Sequence, residues 1–175
     1  MKIIKNKFKG LLVIENQRFV DNRGLFREIL VEKNLKLRFP FNVISLSKKN
    51  VIRGLHYQLI KPQGKFISVI KGRILDVALD LRKNSKTYGK NFGCILSEEN
   101  SKSIFIPPGF AHGFQALSNE NYIIYSCTKY RDEKNEVAIK YNDKVLKIKW
   151  PLKKLIISEK DKSAISFRDY EKKFK

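Results

Sequence analysis

Two histidines are the side chains best suited to proton transfer in this sequence, because an unperturbed imidazole titrates near neutral pH. His56 lies in VIRGLHYQ, between Arg53 and Lys65, and His112 lies in IPPGFAHGFQAL. A neutral imidazole can remove a proton, and a neighbouring guanidinium or ammonium group can bind a phosphate. The segment around His56 therefore indicates acid–base chemistry on an anionic substrate, although an isolated histidine in a strand is more often a hydrogen-bonded structural residue.

Gly54 is the residue that decides whether Arg53 and His56 can act together. The two side chains are an odd number of positions apart, so a flat strand would direct them to opposite faces. We expect a bend or bulge near Gly54, because glycines within strands often mark such irregularities.

His112 has two prolines and two glycines around it, which predict a rigid turn where regular strand pairing stops. The histidine in that turn is expected to be either a buried, hydrogen-bonded residue or a donor that lines a pocket.

The metal-ligand content of the chain is low. Histidine metal sites in β-barrels need about three imidazoles and a carboxylate, and this chain has two histidines in all. Cys94 and Cys127 lie in apolar, strand-like runs and form no CxxC pair, so we expect core residues in a reducing compartment. The sequence predicts a pocket that works without a metal.

Short apolar segments separated by turn residues dominate the chain and predict an all-β fold. In RILDVALDLR, one set of alternate residues mixes apolar and acidic side chains, and the other set is purely apolar. This pattern predicts a strand with one core face. Only SEKDKSAISFRDYEKKF is predicted as helix, with Ser158 as N-cap and Asp161 at the capping-box spacing. The candidate strands are GLLVIE, LFREILV, NVISLS, KFISVI, RILDVALDLR, NFGCILS, SIFIPP, YIIYSCT and VAIKY.

Composition indicates one globular domain spanning residues 1–175, with 42% hydrophobic residues. The formal net charge of +20 favours an anionic partner: a nucleic acid, a membrane surface or a phosphorylated small molecule. The basic residues are mostly scattered lysines, which is more typical of solvated surface than of a nucleic-acid-binding stripe. No apolar run reaches the ~20 residues of a membrane span, and the start lacks the apolar segment of a signal peptide. We expect a soluble cytoplasmic protein.

Seven motifs occur together in a fixed order: FVDNRGLFRE, VIRGLHYQ, PQGKFISVIKGRILDVALDLR, TYG, IPPGFAHGFQALS, AIKYNDKVLKIKWP and SEKD. Over nearly the whole chain they resemble the dTDP-4-dehydrorhamnose 3,5-epimerase family. The resemblance implies a cupin-like jelly-roll β-barrel with a short C-terminal helix, without metal or other cofactor. It also implies a homodimer with exchanged N-terminal segments, and inversion at C3 and C5 of a 4-keto-6-deoxy sugar on a nucleoside diphosphate.

The same resemblance implies roles for individual residues. His56 is the implied base, Asp161 its carboxylate partner and Tyr125 the proton donor, with Tyr130 as the alternative donor. From the residues alone, Asp161 could instead be only a helix cap, and Tyr125 only a core aromatic. The implied substrate contacts are Arg53, Lys65 and His112 to the phosphates and sugar, Arg23, Phe26 and Glu28 from the neighbouring subunit, and also Glu136 and Lys160. From its position after a PQG turn, Lys65 could instead be a surface lysine.

The chain departs from the family pattern at two places. Phe41 and Val43 stand where the family commonly has Gln and Asn, and Arg131 and Asp132 stand where it often has Tyr and Pro. Phe41 and Val43 cannot make amide hydrogen bonds, so the exact substrate is open. Epimerisation at one carbon, a keto-isomerase acting on a related sugar nucleotide, and a non-catalytic cupin-like module for nucleic acid or an acidic glycan remain alternatives.

Overall fold

Two antiparallel β-sheets that face each other make up most of the fold. The computed structural model describes residues 2–174. Its helices are α1 (Glu32–Leu35), α2 (Glu159–Lys162) and α3 (Phe167–Phe174), with a 3-10 turn at Glu133–Asn135. The strands are β1 (Lys2–Ile4), β2 (Leu12–Glu15), β3 (Arg18–Asp21), β4 (Gly24–Arg27), β5 (Phe41–Lys48), β6 (Ile52–Gln58), β7 (Lys65–Lys71), β8 (Arg73–Asp80), β9 (Asn91–Ser97), β10 (Lys102–Ile106), β11 (Phe110–Ala116), β12 (Glu120–Cys127) and β13 (Glu136–Ala138).

The strand order identifies the fold as a cupin-like jelly roll. One sheet runs β1-β2-β10-β7-β12-β5 and the other β13-β6-β11-β8-β9, while β3 and β4 form a separate hairpin. Neighbours in both sheets are antiparallel. The predicted all-β fold is confirmed. Among residues 2–174, no helix is long and apolar enough to cross a membrane.

The main hydrophobic core lies between the two sheets. Alternate residues of each strand point inward, as the period of two requires. Ile67, Val69 and Ile123 from the first sheet meet Ile74 and Phe114 from the second, and all five are buried. This core fills part of the space between the sheets and leaves the remainder for a cavity.

Strand β8 is buried on both faces, so the prediction of one core face is wrong. Ile74 belongs to the core between the sheets, whereas Val77 and Leu79 pack on the other side in a second core with Phe167 and Tyr170 of α3. The C-terminal segment covers the outer face of the second sheet. Alternation within the strand cannot reveal a cover that comes from another part of the chain.

Strand β11 replaces the rigid turn predicted around His112, and that prediction is also wrong. The prolines precede the strand, and Gly113 lies within it, paired with β8 throughout its length. A Cβ on Gly113 would come 2.7 Å from the carbonyl oxygen of Arg53. Glycine at this position permits β6 and β11 to approach each other closely. In the sequence alone, the same glycine suggested the end of regular strand pairing.

The predicted C-terminal helix is divided into α2 and α3. Ser158 is the N-cap, since its hydroxyl accepts the N–H of Asp161 at 3.2 Å. The helix stops because Ile165 joins a parallel β-bridge with Ile139, and their neighbouring backbone groups exchange hydrogen bonds. Docking of this segment on the sheet therefore overrides its local helical preference.

Candidate functional site

A cavity of about 330 Å³ opens between the two sheets, within the size range of small-molecule sites. Its wall combines apolar side chains with several titratable groups. The lining residues come from β5, β6, β7, β11, β12 and β13 and from two loops. They are Phe41, Val43, Ser45, Arg53, His56, Gln63, Lys65, His112, Phe114, Tyr125, Cys127, Arg131 and Glu136.

A backbone irregularity at Gly54 brings Arg53 and His56 to this one cavity. The register between β6 and β11 shifts at this point, and Gly54 has a φ of +118°. A side chain at Gly54 would place its Cβ 2.6 Å from both the Cα of Gly113 and the carbonyl oxygen of His112. The bend expected near Gly54 is confirmed, and only glycine suits both its conformation and its close packing.

His56 is paired with the carboxylate of Asp161. Nε2 of His56 lies 2.6 Å from Oδ1 of Asp161, and Oδ2 accepts the N–H of Gly54 at 3.1 Å. Burial disfavours the ionised form of this 3%-exposed carboxylate, but the hydrogen bonds from His56 and Gly54 outweigh it and lower the Asp161 pKa. Asp161 is thus an anion next to His56. Its backbone N–H bonds the helix cap, while both carboxylate oxygens face β6.

A second histidine–carboxylate pair lies directly opposite the first. His112 is the register partner of His56 across β6 and β11, and its Nε2 lies 2.8 Å from Oδ2 of Asp76. Both members of this pair are buried, and His112 lines the cavity. The two expectations for His112 were a buried residue and a pocket-lining one. In the structure, His112 is both.

Tyr125 reaches the cavity from the opposite sheet. Its hydroxyl lies 3.3 Å from Oγ of Ser45, and its ring meets the His112 ring edge-on at 6.2 Å between centroids. Burial raises the pKa of Tyr125, and the Ser45 contact only partly opposes this, so the phenol keeps its proton. Tyr130 is 69% exposed, packs on Phe41 and does not line the cavity.

Lys65 is the first residue of β7, and its side chain lines the cavity. It is therefore not an exposed surface lysine. Burial lowers the pKa of Lys65, while the nearby Cys127, Glu136 and Asp76 oppose that shift. A desolvated ammonium group interacts more strongly with a developing negative charge than an exposed one does.

Glu136 and Lys160 form an ion-paired rim beside His56. The Glu136 carboxylate accepts a hydrogen bond from Lys160 and lies 3.5 Å from Nε of Arg131. Burial raises the Glu136 pKa, but Lys160, His56 and Arg131 together hold it below its usual value. Arg53, Arg131 and Lys160 also line an adjoining groove that continues from the cavity, so three cations border one opening.

Arg23, Phe26 and Glu28 are not brought to the cavity within one chain. They lie on or next to the β3–β4 hairpin, where Arg23 pairs with Asp21 at 2.6 Å and Phe26 is 65% exposed. Phe19 and Leu25 are also exposed on this hairpin. The other eight predicted site residues all line the cavity or the adjoining groove.

Sequence reasoning missed several residues of the site. Asp76 is the most consequential, and its signal was present, since it is a carboxylate inside the apolar run RILDVALDLR. Ser45, Gln63 and Cys127 carried no such signal. Within residues 2–174, no cluster of three or more His, Cys, Asp or Glu side chains is arranged to hold a metal ion.

Comparisons with known proteins identify the family of this chain. The family model described as dTDP-4-dehydrorhamnose 3,5-epimerase matches residues 5–169. An enzyme of that name from Methanothermobacter thermautotrophicus is 46% identical over 170 residues, which cover 93% of this chain and 92% of the relative. A crystal structure of dTDP-6-deoxy-D-glucose-3,5-epimerase RmlC from Legionella pneumophila, in complex with dTDP-4-keto-L-rhamnose, superposes with a TM-score of 0.91. It is 41% identical and covers 94% of this chain and 92% of its own.

Proposed function

Because the chain belongs to the dTDP-4-dehydrorhamnose 3,5-epimerase family and is therefore a sugar-nucleotide epimerase, we propose that His56 and Tyr125 perform the inversion in the cavity between the sheets. One observation carries this proposal. An imidazole held by a buried carboxylate and a half-buried phenol enter the same cavity from facing sheets. That arrangement allows a proton to leave one face of a sugar ring and another to arrive at the opposite face.

The proposed first step removes the proton from a carbon next to the sugar's ketone. His56 takes the proton, and the electron pair of the C–H bond moves to form an enolate, with negative charge on the keto oxygen. Lys65 and His112 supply a cation or a hydrogen bond for this oxygen, which lowers the barrier. Tyr125 then protonates the carbon from the other face, the enolate returns to a ketone, and the centre is inverted.

Asp161 has an electrostatic role in this scheme. When His56 gains the proton it becomes an imidazolium ion, and the carboxylate 2.6 Å away stabilises that charge. The same contact fixes the ring so that Nδ1 is the nitrogen available to the substrate.

The substrate we propose is a dTDP-linked 4-keto-6-deoxy sugar. The Legionella relative was solved with such a compound, and the cations Arg53, Arg131 and Lys160 border the opening where a diphosphate would lie. This proposal requires no metal or redox cofactor, because the proton transfers leave the oxidation state of the sugar unchanged.

The experiment is incubation of the protein with dTDP-4-keto-6-deoxyglucose in D₂O, followed by NMR of the sugar. Deuterium at C3 and C5 with inverted product supports the proposal, and labelling at one carbon would identify a mono-epimerase. A product with a displaced keto group would indicate a keto-isomerase. Absence of exchange would refute the acid–base assignment and favour a binding module.

Arg53→Ala is expected to raise KM about ten-fold or more while changing kcat much less. The guanidinium is fixed by hydrogen bonds to Ser47 Oγ at 3.1 Å and Leu46 O at 3.3 Å, which suits a pre-positioned phosphate contact. Steady-state kinetics and calorimetric titration with dTDP measure the effect. Arg73→Ala, which removes a cation that does not line the cavity, is the matched control; an unchanged dTDP affinity in Arg53→Ala would exclude it as an anchor.

We also propose a homodimer in which the β3–β4 hairpin of one subunit completes the cavity of the other. The support is that Phe19, Leu25 and Phe26 are exposed on this hairpin, and that Arg23, Phe26 and Glu28 lie away from the cavity of their own chain. Exposed apolar side chains on a two-stranded hairpin are typical of a segment that packs against a partner.

Mixing two inactive variants tests this exchange. If Arg23 acts on the neighbouring site, a heterodimer of His56→Asn and Arg23→Ala chains contains one intact site and one doubly impaired site. Activity should therefore reappear when the two variants are unfolded and refolded together. No recovery, although mass spectrometry detects the heterodimer, would show that both residues serve the same chain's cavity.

We further propose a cytoplasmic location and no nucleic-acid partner. Cys94 and Cys127 form no disulfide, as is usual in a reducing compartment. The proposed substrate also gives the basic residues around the cavity an anionic ligand without nucleic acid.

A further inference from the structure

Asp76 is a buried carboxylate with an incomplete set of hydrogen bonds. It is 0% exposed, its Oδ2 contacts His112, and its Oδ1 has no hydrogen-bond partner among residues 2–174. Burying such an oxygen without a partner costs free energy, so a residue in this condition calls for a physical explanation.

Asp80 shows what a purely structural carboxylate on the same strand looks like. It is equally buried, but its two oxygens accept hydrogen bonds from Arg82, Ser85 and Thr87. Although burial opposes ionisation, these donors lower the pKa of Asp80 to about 2. Asp80 thus anchors the turn after β8, whereas the Asp76 side chain, among residues 2–174, makes its one hydrogen bond to a cavity residue, His112.

The charge of Asp76 reaches groups of the cavity, and it also acts on the Cys94 thiol beside the core. Its charge acts on Lys65 and on Tyr125, and its one hydrogen bond is to the imidazole that touches the Tyr125 ring. With Nε2 of His112 occupied by Asp76, Nδ1 is the only ring nitrogen that can serve a ligand. When Nδ1 carries one proton and Asp76 and Nε2 share another, the carboxylate charge balances the imidazolium charge and the pair has no net charge.

We propose that Asp76 is a positioning residue that acts through His112, holding its ring so that Nδ1–H is directed at the oxygen where negative charge develops. This inference rests on the proposed function, and it distinguishes the two histidine–carboxylate pairs. The pair of His56 and Asp161 exchanges a proton with the substrate. The pair of His112 and Asp76 keeps its protons and stabilises the enolate.

Kinetics of Asp76→Asn test the proposal. Asn occupies nearly the same volume and keeps one hydrogen bond, but it cannot balance a second proton on the His112 ring. We expect kcat to fall about 10²-fold, the size of losing one donor to a developing oxyanion, with KM nearly unchanged. Asp80→Asn is the matched control, and it should lower the melting temperature while leaving kcat near the wild-type value.

A double-mutant cycle separates positioning from general damage. If Asp76 acts through His112, the double variant Asp76→Asn/His112→Asn should be at most a few-fold slower than His112→Asn alone. Independent effects would multiply instead. The chain has only two histidines, so ¹⁵N-histidine labelling gives the nitrogen signals of two rings, and the His112 variant assigns them. Asp76→Asn should move the His112 nitrogens and leave those of His56 in place.

The outcomes distinguish this inference from the proposed function. If the wild-type protein epimerises the sugar, three results would overturn the role of Asp76 alone. These are an unchanged kcat in Asp76→Asn, multiplicative effects in the double-mutant cycle, and His112 signals that do not move in Asp76→Asn. A wild-type protein that exchanges no deuterium would overturn the proposed function, and the role of Asp76 with it.

Discussion

His56→Asn is expected to abolish deuterium incorporation at both C3 and C5 of the sugar. Asn is close in size to His and keeps a hydrogen-bonding group, but it cannot accept a proton at neutral pH. The other imidazole of the cavity has Nε2 bound to Asp76, and Asp161 is a buried carboxylate that does not line the cavity. With no substitute base in the right place, the loss should be at least about 10⁴-fold, the upper end for a general acid–base step.

Two controls make this result interpretable. Calorimetry with dTDP should show nearly wild-type affinity in His56→Asn, because the nucleotide contacts proposed here involve other residues. Thermal unfolding should show a folded but less stable variant, since the buried Asp161 loses one partner and keeps the Gly54 N–H. Turnover within ten-fold of wild type in a variant that binds dTDP would remove His56 from the role of base.

Tyr125→Phe is expected to separate proton removal from inversion. Phe keeps the ring between Ser45 and His112 but has no proton to give. His56 can still form the enolate and return a solvent-derived proton to the same face. We therefore expect recovered substrate to contain deuterium, while inverted product falls about 10²- to 10⁴-fold. NMR of the substrate and product pools in D₂O measures both quantities in one sample.

Tyr130→Phe is the matched control for this prediction. The same hydroxyl is removed from a ring that is mostly exposed and packs on Phe41 outside the cavity. Inversion should remain close to the wild-type rate. If the two variants behave the other way round, Tyr130 is the proton donor and the assignment of Tyr125 is wrong.

Local sequence features predicted the parts of the fold that depend on interactions between residues close together in the chain. Alternation and turn residues predicted most of the strands, although not β1, β3 or β11, and Gly54 predicted the bend that lets Arg53 and His56 share a cavity. The errors had long-range causes. The outer face of β8 is covered by α3, and the glycines around His112 allow close strand packing, a contact that cannot be read from either strand alone.

The site itself depended on the resemblance to a known family. His56 and Asp161 lie far apart in the sequence, and no pattern in SEKD shows that a carboxylate there faces β6. Tyr125 was likewise one of several tyrosines. Asp76 shows the opposite situation: the resemblance gave it no role, yet its buried, partly unpaired oxygen distinguishes it once coordinates exist.

The position of Asp161 in the chain has a consequence for how the protein becomes active during translation. Every strand of both sheets leaves the ribosome before α2 does. A nascent chain can therefore complete its barrel while His56 still lacks its carboxylate. Under the proposed mechanism, full catalytic competence arrives last, when α2 docks, so a polypeptide that stalls after β13 would hold every strand of both sheets and still lack the carboxylate that steadies His56.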